Sequence, residues 1–199
     1  MIYILTVMKK SKVKLAAVDI AECALFVALM VAGAYLEIPL PVMPISFQTV
    51  FAVLSGLMLG WKKGMIAMVA YAVLGLIGIP VFMDGGGIFY VIKPSFGYIL
   101  GFIPAAGVAG ICYNHKKKLW QIILLALAAT LVDYAFGIAY FIAVWVITDL
   151  PNLWASVVIY NLTFLPKDAI LALLAAFLSR AVTPKIIRLH YKVKDAESE

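Results

Sequence analysis

The chain consists of long apolar stretches that are separated by short clusters of lysine and arginine. Of its 199 residues, 65% are apolar and 13% are charged, and the mean hydropathy is +1.07. Soluble domains contain about 45–50% apolar and about 25% charged residues, so this chain has too little polar surface to enclose a water-soluble core. We therefore predict an all-α, polytopic membrane protein. A soluble enzyme, a secreted disulfide scaffold and a disordered regulator are excluded.

The apolar stretches predict six transmembrane helices within a single transmembrane domain, residues 1–199. Since a spanning helix needs about 20 residues, we place the spans at about 15–36, 46–60, 64–80, 97–113, 119–148 and 153–182. An outer loop at 81–96 and a cytoplasmic tail at 183–199 complete the prediction. With six spans, every lysine and arginine except Lys93 and Lys167 lies on one side. Because these residues accumulate in cytoplasmic loops, both termini are predicted to be cytoplasmic, in a multi-pass protein of the cell membrane.

Other function classes find little support in the residues. The net charge of +6 comes from the loops that flank the spans, so it indicates contact with the lipid bilayer and not with nucleic acid. Cys23 and Cys112 lie in apolar runs, and His115 and His190 have no metal-ligand spacing, so we predict no metal and no cofactor. The chain has no GxxxxGK[ST] motif. Energy for any uphill transport would have to come from a partner or an ion gradient.

Two carboxylates lie deep inside predicted spans. Asp133 and Asp168 are roughly 21 Å from the span ends, at 1.5 Å per residue, which is too deep for either side chain to reach the headgroups. An ionisable residue inside a span costs about 2.5–3.5 kcal/mol and is a functional-site candidate by default. We interpret both as candidate ligand-binding residues, with a hydrogen-bonded structural role as the alternative.

The segment around Asp168 carries a second charge and a proline. Lys167 and Asp168 point about 100° apart on a helix, so we expect no ideal ion pair between them. Pro166 weakens the helix and frees a carbonyl about one turn back. A broken helix beside two charges at membrane depth is typical of the polar sites of transporters. We therefore predict that Lys167 and Asp168 belong to a binding site.

The outer loop and the start of the second span supply further candidates. Lys93 stands among aromatic side chains on the outer side, which suits a small amphiphilic ligand with one carboxylate; an ordinary surface lysine in a flexible loop is the alternative. Gln48 offers a donor and an acceptor, which fits an amide or urea group as well as a helix-packing hydrogen bond. The candidate ligand-binding residues of this region are Gln48, Asp84, Gly86, Tyr90, Lys93 and Tyr98.

Small residues form a stripe on the first span. They recur at four-residue spacing, which lets helices approach closely, and they are Ala17, Ala21, Ala24, Ala28 and Ala32. The stripe predicts either packing inside the protein or a docking face for another membrane subunit. Asp19 and Glu22 on the same helix are expected to reach the headgroups or to pair with Lys62 or Lys63.

Several of these motifs together resemble the BioY family, the biotin-binding S components of energy-coupling-factor (ECF) transporters. The likeness extends over roughly residues 15–185, and its elements are Ser46-Phe47-Gln48 after a proline-rich segment, Pro80-Val81-Phe82, Pro94-Ser95-Phe96-Gly97-Tyr98-x-x-Gly101-Phe102 and Phe164-Leu165-Pro166-x-Asp168. The family pattern at the last element is FLPGDLIK. This chain has Lys167 at the glycine position and Leu171 at the lysine position, so its lysine comes about one helical turn earlier.

The resemblance implies six helices, a biotin pocket near the outer face and an alanine-rich first helix that docks on an ECF module. The module comprises a transmembrane T component and two ABC ATPases. In such a site Asp168 would accept the ureido N–H groups of biotin, Gln48 or a tyrosine would donate to the ureido oxygen, and Lys93 would pair with the carboxylate.

Two other function classes compete with this interpretation. An autonomous, proton-coupled secondary transporter of a small carboxylate-bearing vitamin could use Asp133 or Asp168 as a proton relay, although the chain lacks clear repeated halves. An intramembrane aspartyl protease would need a GxGD motif, and the chain has no HExxH or GxSxG motif either. We therefore predict that the protein is not an enzyme and has no catalytic residues.

Overall fold

A computed structural model of the protein describes residues 17–36, 46–111 and 118–196, with side chains in the last range described through residue 182. Cys112, His115, most of the proline-rich segment that precedes Ser46 and the side chain of His190 lie outside this description. The described residues form seven α-helices: Ala17–Tyr35 (α1), Gln48–Leu59 (α2), Trp61–Leu76 (α3), Phe96–Gly110 (α4), Leu119–Ile147 (α5), Leu153–Tyr160 (α6) and Leu165–Ala196 (α7). Two 3₁₀ turns, Ile88–Ile92 and Leu162–Phe164, complete the described elements.

The helices differ in how much of a membrane they can cross. The stretches Ala17–Tyr35, Leu119–Ile147 and Leu153–Val182 are long and apolar enough to span a bilayer, whereas Gln48–Leu59 and Phe96–Gly110 are shorter apolar helices. The part of the chain that the structure describes contains no β-strand beyond an isolated bridge between Phe82 and Gly85. The all-helical fold class is therefore confirmed.

Helices α2 and α3 follow each other without a loop. Gly60 has a φ of +84°, a backbone conformation that favours glycine, and the chain reverses at this single residue. Lys62 and Lys63 consequently belong to the first turn of α3, where the sequence predicted a connection between spans. Lys63 Nζ lies 2.8 Å from Asp19 Oδ1 and 2.9 Å from Glu22 Oε2 of α1, so the expected pairing of these carboxylates with a lysine is confirmed.

Helix α1 packs on α2 and α3 through one face. Its buried residues are Cys23, Phe26, Met30, Gly33 and Ala34. The alanine stripe lies on the other side, and all of its members are exposed: Ala17, Ala21, Ala24, Ala28 and Ala32. In the described part of the chain, the stripe therefore does not serve internal packing.

The segment between α3 and α4, which the sequence predicts as the outer loop 81–96 and which we call the outer segment, is folded against the helices. Phe82 is fully buried, and its ring centroid lies 5.4 Å from that of Tyr71 and 4.6 Å from that of Tyr90. The backbone N–H of Gly87 donates to the carbonyl of Gly75 at 2.7 Å. These contacts hold the segment over the end of α3, in contrast to the flexible loop that we considered as the alternative.

The helix of the predicted sixth span is interrupted, and its second part continues past the predicted end of the span. Asn161 separates α6 from the 3₁₀ turn, and α7 then continues through Ala196, whereas the apolar stretch that could span a membrane is Leu153–Val182. Pro166 is the second residue of α7, a position that tolerates proline because the first N–H groups of a helix have no partner inside it. The break thus lies at Asn161, and the proline stands at the start of a new helix.

Candidate functional site

A cavity of about 50 Å³ lies where α2, α4, α5 and α7 meet the outer segment. Its polar lining residues are Ser46, Gln48, Thr49, Ser95, Lys167 and Asp168. The apolar and aromatic lining residues are Met83, Tyr90, Tyr98, Ile99, Phe102, Tyr134 and Phe164. An apolar surface with a few convergent polar groups is typical of a small-molecule site.

Asp168 is the carboxylate of this cavity. Its side chain is 6% exposed, and the hydroxyl of Tyr134 donates to Oδ2 at 2.5 Å. Lys167 Nζ lies 2.9 Å from Oδ1, but Oδ1 accepts no hydrogen bond from the described residues. The neighbours are thus close enough for an ion pair that lacks hydrogen-bond geometry, in agreement with our expectation of no ideal pair. The flexible side chain of Lys167 is long enough to return to the adjacent carboxylate at the first turn of α7, whatever the angle between the two Cα–Cβ bonds.

Lys167 also connects two elements that are distant in the chain. Its ammonium group donates to the carbonyl of Ser46 at 2.8 Å and lies 5.5 Å from the centroid of the Phe47 ring. The backbone N–H of Phe47 in turn donates to the carbonyl of Gly33 on α1 at 3.2 Å. One lysine at the start of α7 thereby holds the residues that lead into α2.

Gln48 is buried at the start of α2, where it both makes a packing hydrogen bond and lines the cavity. It lines the cavity, and its side-chain amide donates to the hydroxyl of Tyr71, which itself donates to the carbonyl of Val81 at 3.0 Å. The hydroxyl of Ser46 donates to Gln48 Oε1 at 3.4 Å. These bonds fix the orientation of the amide at the cavity wall.

Asp133 lies behind the cavity wall and does not line it. The carboxyl group is fully buried and accepts a hydrogen bond from the hydroxyl of Thr49 at 3.2 Å. A Cβ atom on Gly101 would lie 2.5 Å from Asp133 Oδ1, so only a glycine lets α4 approach this carboxyl. Thr49 stands between Asp133 and the cavity.

Three predicted residues of the outer segment stand apart from the cavity lining. Lys93 and Asp84 form an ion pair of 2.8 Å, with their side chains 40% and 48% exposed. Gly86 packs on α3, because a Cβ there would lie 2.3 Å from the carbonyl oxygen of Ile79. Lys93 is nevertheless close to the site, since its Nζ lies 4.8 Å from the ring centroid of Tyr90, which does line the cavity.

Sequence reasoning missed two residues of the site network. Tyr134 orients Asp168, and Asn161 is a fully buried residue at the helix break. The hydroxyl of Tyr98 donates to Asn161 Oδ1 at 2.8 Å, and the amide of Asn161 donates to the carbonyl of Val157 at 3.2 Å. Both are polar residues inside apolar runs, and this is the signal by which a closer inspection could have found them.

The chain matches the model of the BioY family over residues 8–188. A probable biotin transporter of Lysinibacillus sphaericus is 33% identical over 88% of this chain and 91% of that protein. A putative biotin transporter of Bacillus subtilis is 32% identical over 85% of this chain and 89% of that protein. The crystal structure of the S-component for biotin from an ECF-type ABC transporter superposes with a TM-score of 0.70 at 25% identity, covering 82% of this chain and 89% of that one.

Proposed function

Because the chain belongs to the BioY family, we propose that it is the biotin-binding S component of an ECF-type transporter in the bacterial cytoplasmic membrane. The family consists of transporter components and not of enzymes. The observation that carries the proposal is the buried carboxylate of Asp168, which Tyr134 orients in a cavity that it shares with Gln48 and Lys167.

The cavity supplies groups that match the chemistry of biotin. Asp168 accepts a ureido N–H, and Lys167, whose ammonium has three donors, donates to the ureido oxygen with a proton that Ser46 and Asp168 do not use. The aromatic lining encloses the thioether ring. A site built on such hydrogen bonds rejects analogues that lack the matching groups, because its own polar atoms would then be left unpaired.

The valerate chain of biotin extends towards the outer segment. Lys93 exchanges its partner Asp84 for the carboxylate of the ligand. Since both side chains of this pair are well exposed, breaking it costs at most about 1 kcal/mol. Lys93 then supplies a second anchor at the far end of an elongated ligand.

The topology that we propose has six spans, with both termini in the cytoplasm. In this topology the ion cluster of Lys63 with two α1 carboxylates lies on the cytoplasmic side, and the pair of Lys93 and Asp84 lies on the outer side. Helices α6 and α7 together form the sixth span, interrupted at Asn161. The distribution of lysine and arginine supports this orientation.

The partner in our proposal is an ECF module with a T component and two ABC ATPases. The exposed alanine stripe of α1 supports a docking face, because small residues let a helix of another subunit approach closely. The chain has no ATPase motif of its own, so uphill transport depends on the ATPases of the partner.

Calorimetry on the purified chain in detergent tests the binding function. We expect heat of binding and thermal stabilisation with biotin at micromolar concentrations, without any partner and without ATP. Biotin methyl ester, which lacks the carboxylate, serves as the comparison ligand and is expected to bind more weakly. Absence of both heat and stabilisation with biotin would refute the proposal.

The docking face is tested by Ala21→Trp, with Ala139→Trp on α5 as the matched control. Both alanines are exposed, and only Ala21 belongs to the stripe. We expect the first variant to keep biotin binding but to lose association with the ECF module and ATP-driven uptake, whereas the control keeps all three. Parallel loss of biotin binding would contradict a role of the stripe that is confined to docking. Uptake without the module that collapses with the proton gradient would favour a secondary transporter instead.

A further inference from the structure

Thr49 lines the cavity, and its hydroxyl proton is already used in a hydrogen bond to Asp133. The residue lies in the first turn of α2 and lines the cavity, while its Oγ1 donates to Asp133 Oδ2 at 3.2 Å. A threonine hydroxyl has one proton and two lone pairs. Because the proton is donated to Asp133, the lone pairs of Oγ1 remain available, so the hydroxyl can act towards a ligand only as an acceptor.

The carboxyl group of Asp133 has no other hydrogen-bond partner among the described residues. Its Oδ1 is buried and makes no hydrogen bond, and α4 covers it at Gly101. An acidic residue that satisfies only one oxygen inside a membrane is costly and marks a functional role by default. Among the described residues of the cavity lining, Thr49 is the one that donates a hydrogen bond to this carboxyl.

Two tyrosine hydroxyls of the lining also donate their protons to protein groups, Tyr134 to Asp168 and Tyr98 to Asn161. The lining includes the Thr49 hydroxyl on α2 and the Asp168 carboxylate on α7, two acceptor groups on helices that pack against each other. Two acceptors suit a ligand that carries two N–H donors on one ring.

We propose that Asp133 is a positioning residue that holds the Thr49 hydroxyl as the second acceptor for the two N–H groups of a cyclic urea. Asp168 receives one N–H and Thr49 receives the other. Asp133 does not contact the ligand. This inference rests on the proposed function, since it takes the ureido ring of biotin as the group that is bound.

The test is a double-mutant cycle in biotin affinity on the full chain in detergent. Thr49→Val keeps the shape of the side chain and removes the hydroxyl. We expect it to lower the affinity for biotin about 3- to 10-fold, the range of one hydrogen bond. Thr49→Ser keeps the hydroxyl, and we expect its biotin affinity to stay within about twofold of that of the unmodified chain. We expect Asp133→Asn to weaken biotin binding to a similar extent as Thr49→Val. The asparagine amide can donate to Thr49 Oγ1, and the Thr49 hydroxyl would then turn its proton towards the ligand and no longer act as an acceptor.

The decisive measurement is the combination of Asp133→Asn with Thr49→Val. If Asp133 acts through the hydroxyl, the double variant binds biotin no more weakly than Thr49→Val alone. Losses that multiply would overturn the proposal, because Asp133 would then act by another route. If Asp133→Asn does not fold, the pair Thr49→Val and Thr49→Ser still decides, and equal affinities of these two variants would refute the inference.

This cycle separates the inference from the proposed function. Failure of the unmodified chain to bind biotin would overturn both. Tight binding by the unmodified chain together with an unaffected Thr49→Val variant would overturn the role of Thr49 and Asp133 only. Melting temperatures of all variants in the same detergent show whether a loss of affinity merely reflects a loss of folding.

Discussion

Replacing Asp168 by asparagine tests the assignment of the principal ligand contact. In the structure, this carboxylate accepts the hydroxyl of Tyr134 at 2.5 Å and lies 2.9 Å from the ammonium of Lys167. Asparagine can still accept from Tyr134 through its Oδ1, but its second position becomes an N–H donor that faces either the lysine or the ligand. The charge-assisted hydrogen bond to the ligand is therefore lost.

The expected loss follows from the type of bond that is removed. A hydrogen bond to a charged group contributes about 1.5–3 kcal/mol, and 1.4 kcal/mol corresponds to about a factor of ten in affinity. We thus expect Asp168→Asn to weaken biotin binding roughly 10- to 100-fold by calorimetry. The variant should stay folded, because Tyr134 keeps its acceptor.

Two comparisons make this prediction refutable. Asp149→Asn makes the same chemical change at an exposed turn outside the cavity and should leave the affinity unchanged. Asp133→Asn should cost less than Asp168→Asn, because Asp133 lies behind Thr49. If Asp133 proves more sensitive, or if Asp168→Asn binds as tightly as the Asp149 control, the assignment of Asp168 as the ureido acceptor is wrong.

Three further variants test other contacts. Tyr134→Phe should lower the affinity for biotin about 3- to 10-fold by calorimetry, because Asp168 loses its orienting donor. Tyr140→Phe on the same helix should have no effect on this affinity. Equal affinities of the two variants would contradict the role of Tyr134. Lys63→Met should lower the free energy of unfolding by about 1–3 kcal/mol, less than for a fully buried pair, and thermal melting should show recovery when the two α1 carboxylates are neutralised in the same chain. Gly75→Ala should cost about 1–3 kcal/mol by overpacking, since its Cβ would lie 1.9 Å from the ring of Phe82; an unchanged melting temperature would show that the ring moves freely.

The membrane character and the position of Asp168 in a buried polar site could be predicted from the sequence because each depends on a local property. Apolar stretches of spanning length follow from composition, and a carboxylate at depth is costly wherever the neighbouring helices lie. Neither inference needs knowledge of tertiary contacts. The break before Pro166 was predicted on the same basis, although the structure places it at Asn161 and continues α7 to Ala196.

The connections within the site could not be predicted, because they join residues that are far apart in the chain. Thr49 and Asp133 are separated by 84 positions, and Tyr134 and Asp168 by 34. A single sequence contains no signal for such pairs. For Lys167 and Asp168, the angle between their Cα–Cβ bonds correctly predicts that no ideal pair forms, although the long lysine side chain still brings Nζ to 2.9 Å from Asp168 Oδ1.

The small volume of the cavity affects how fast a ligand can bind. About 50 Å³ is well below the roughly 300 Å³ at which drug-sized ligand pockets begin, so the walls must separate before a bicyclic ring can pass. The contact of Lys167 with the Ser46 carbonyl holds two of these walls together. We therefore expect opening to limit the association of biotin and to lower its rate constant below the usual 10⁵–10⁷ M⁻¹s⁻¹, which stopped-flow binding measurements would check. If association is slow, high affinity requires slow dissociation of the ligand. The contact between Lys167 and the Ser46 carbonyl slows both, because the same walls must separate for biotin to enter and to leave.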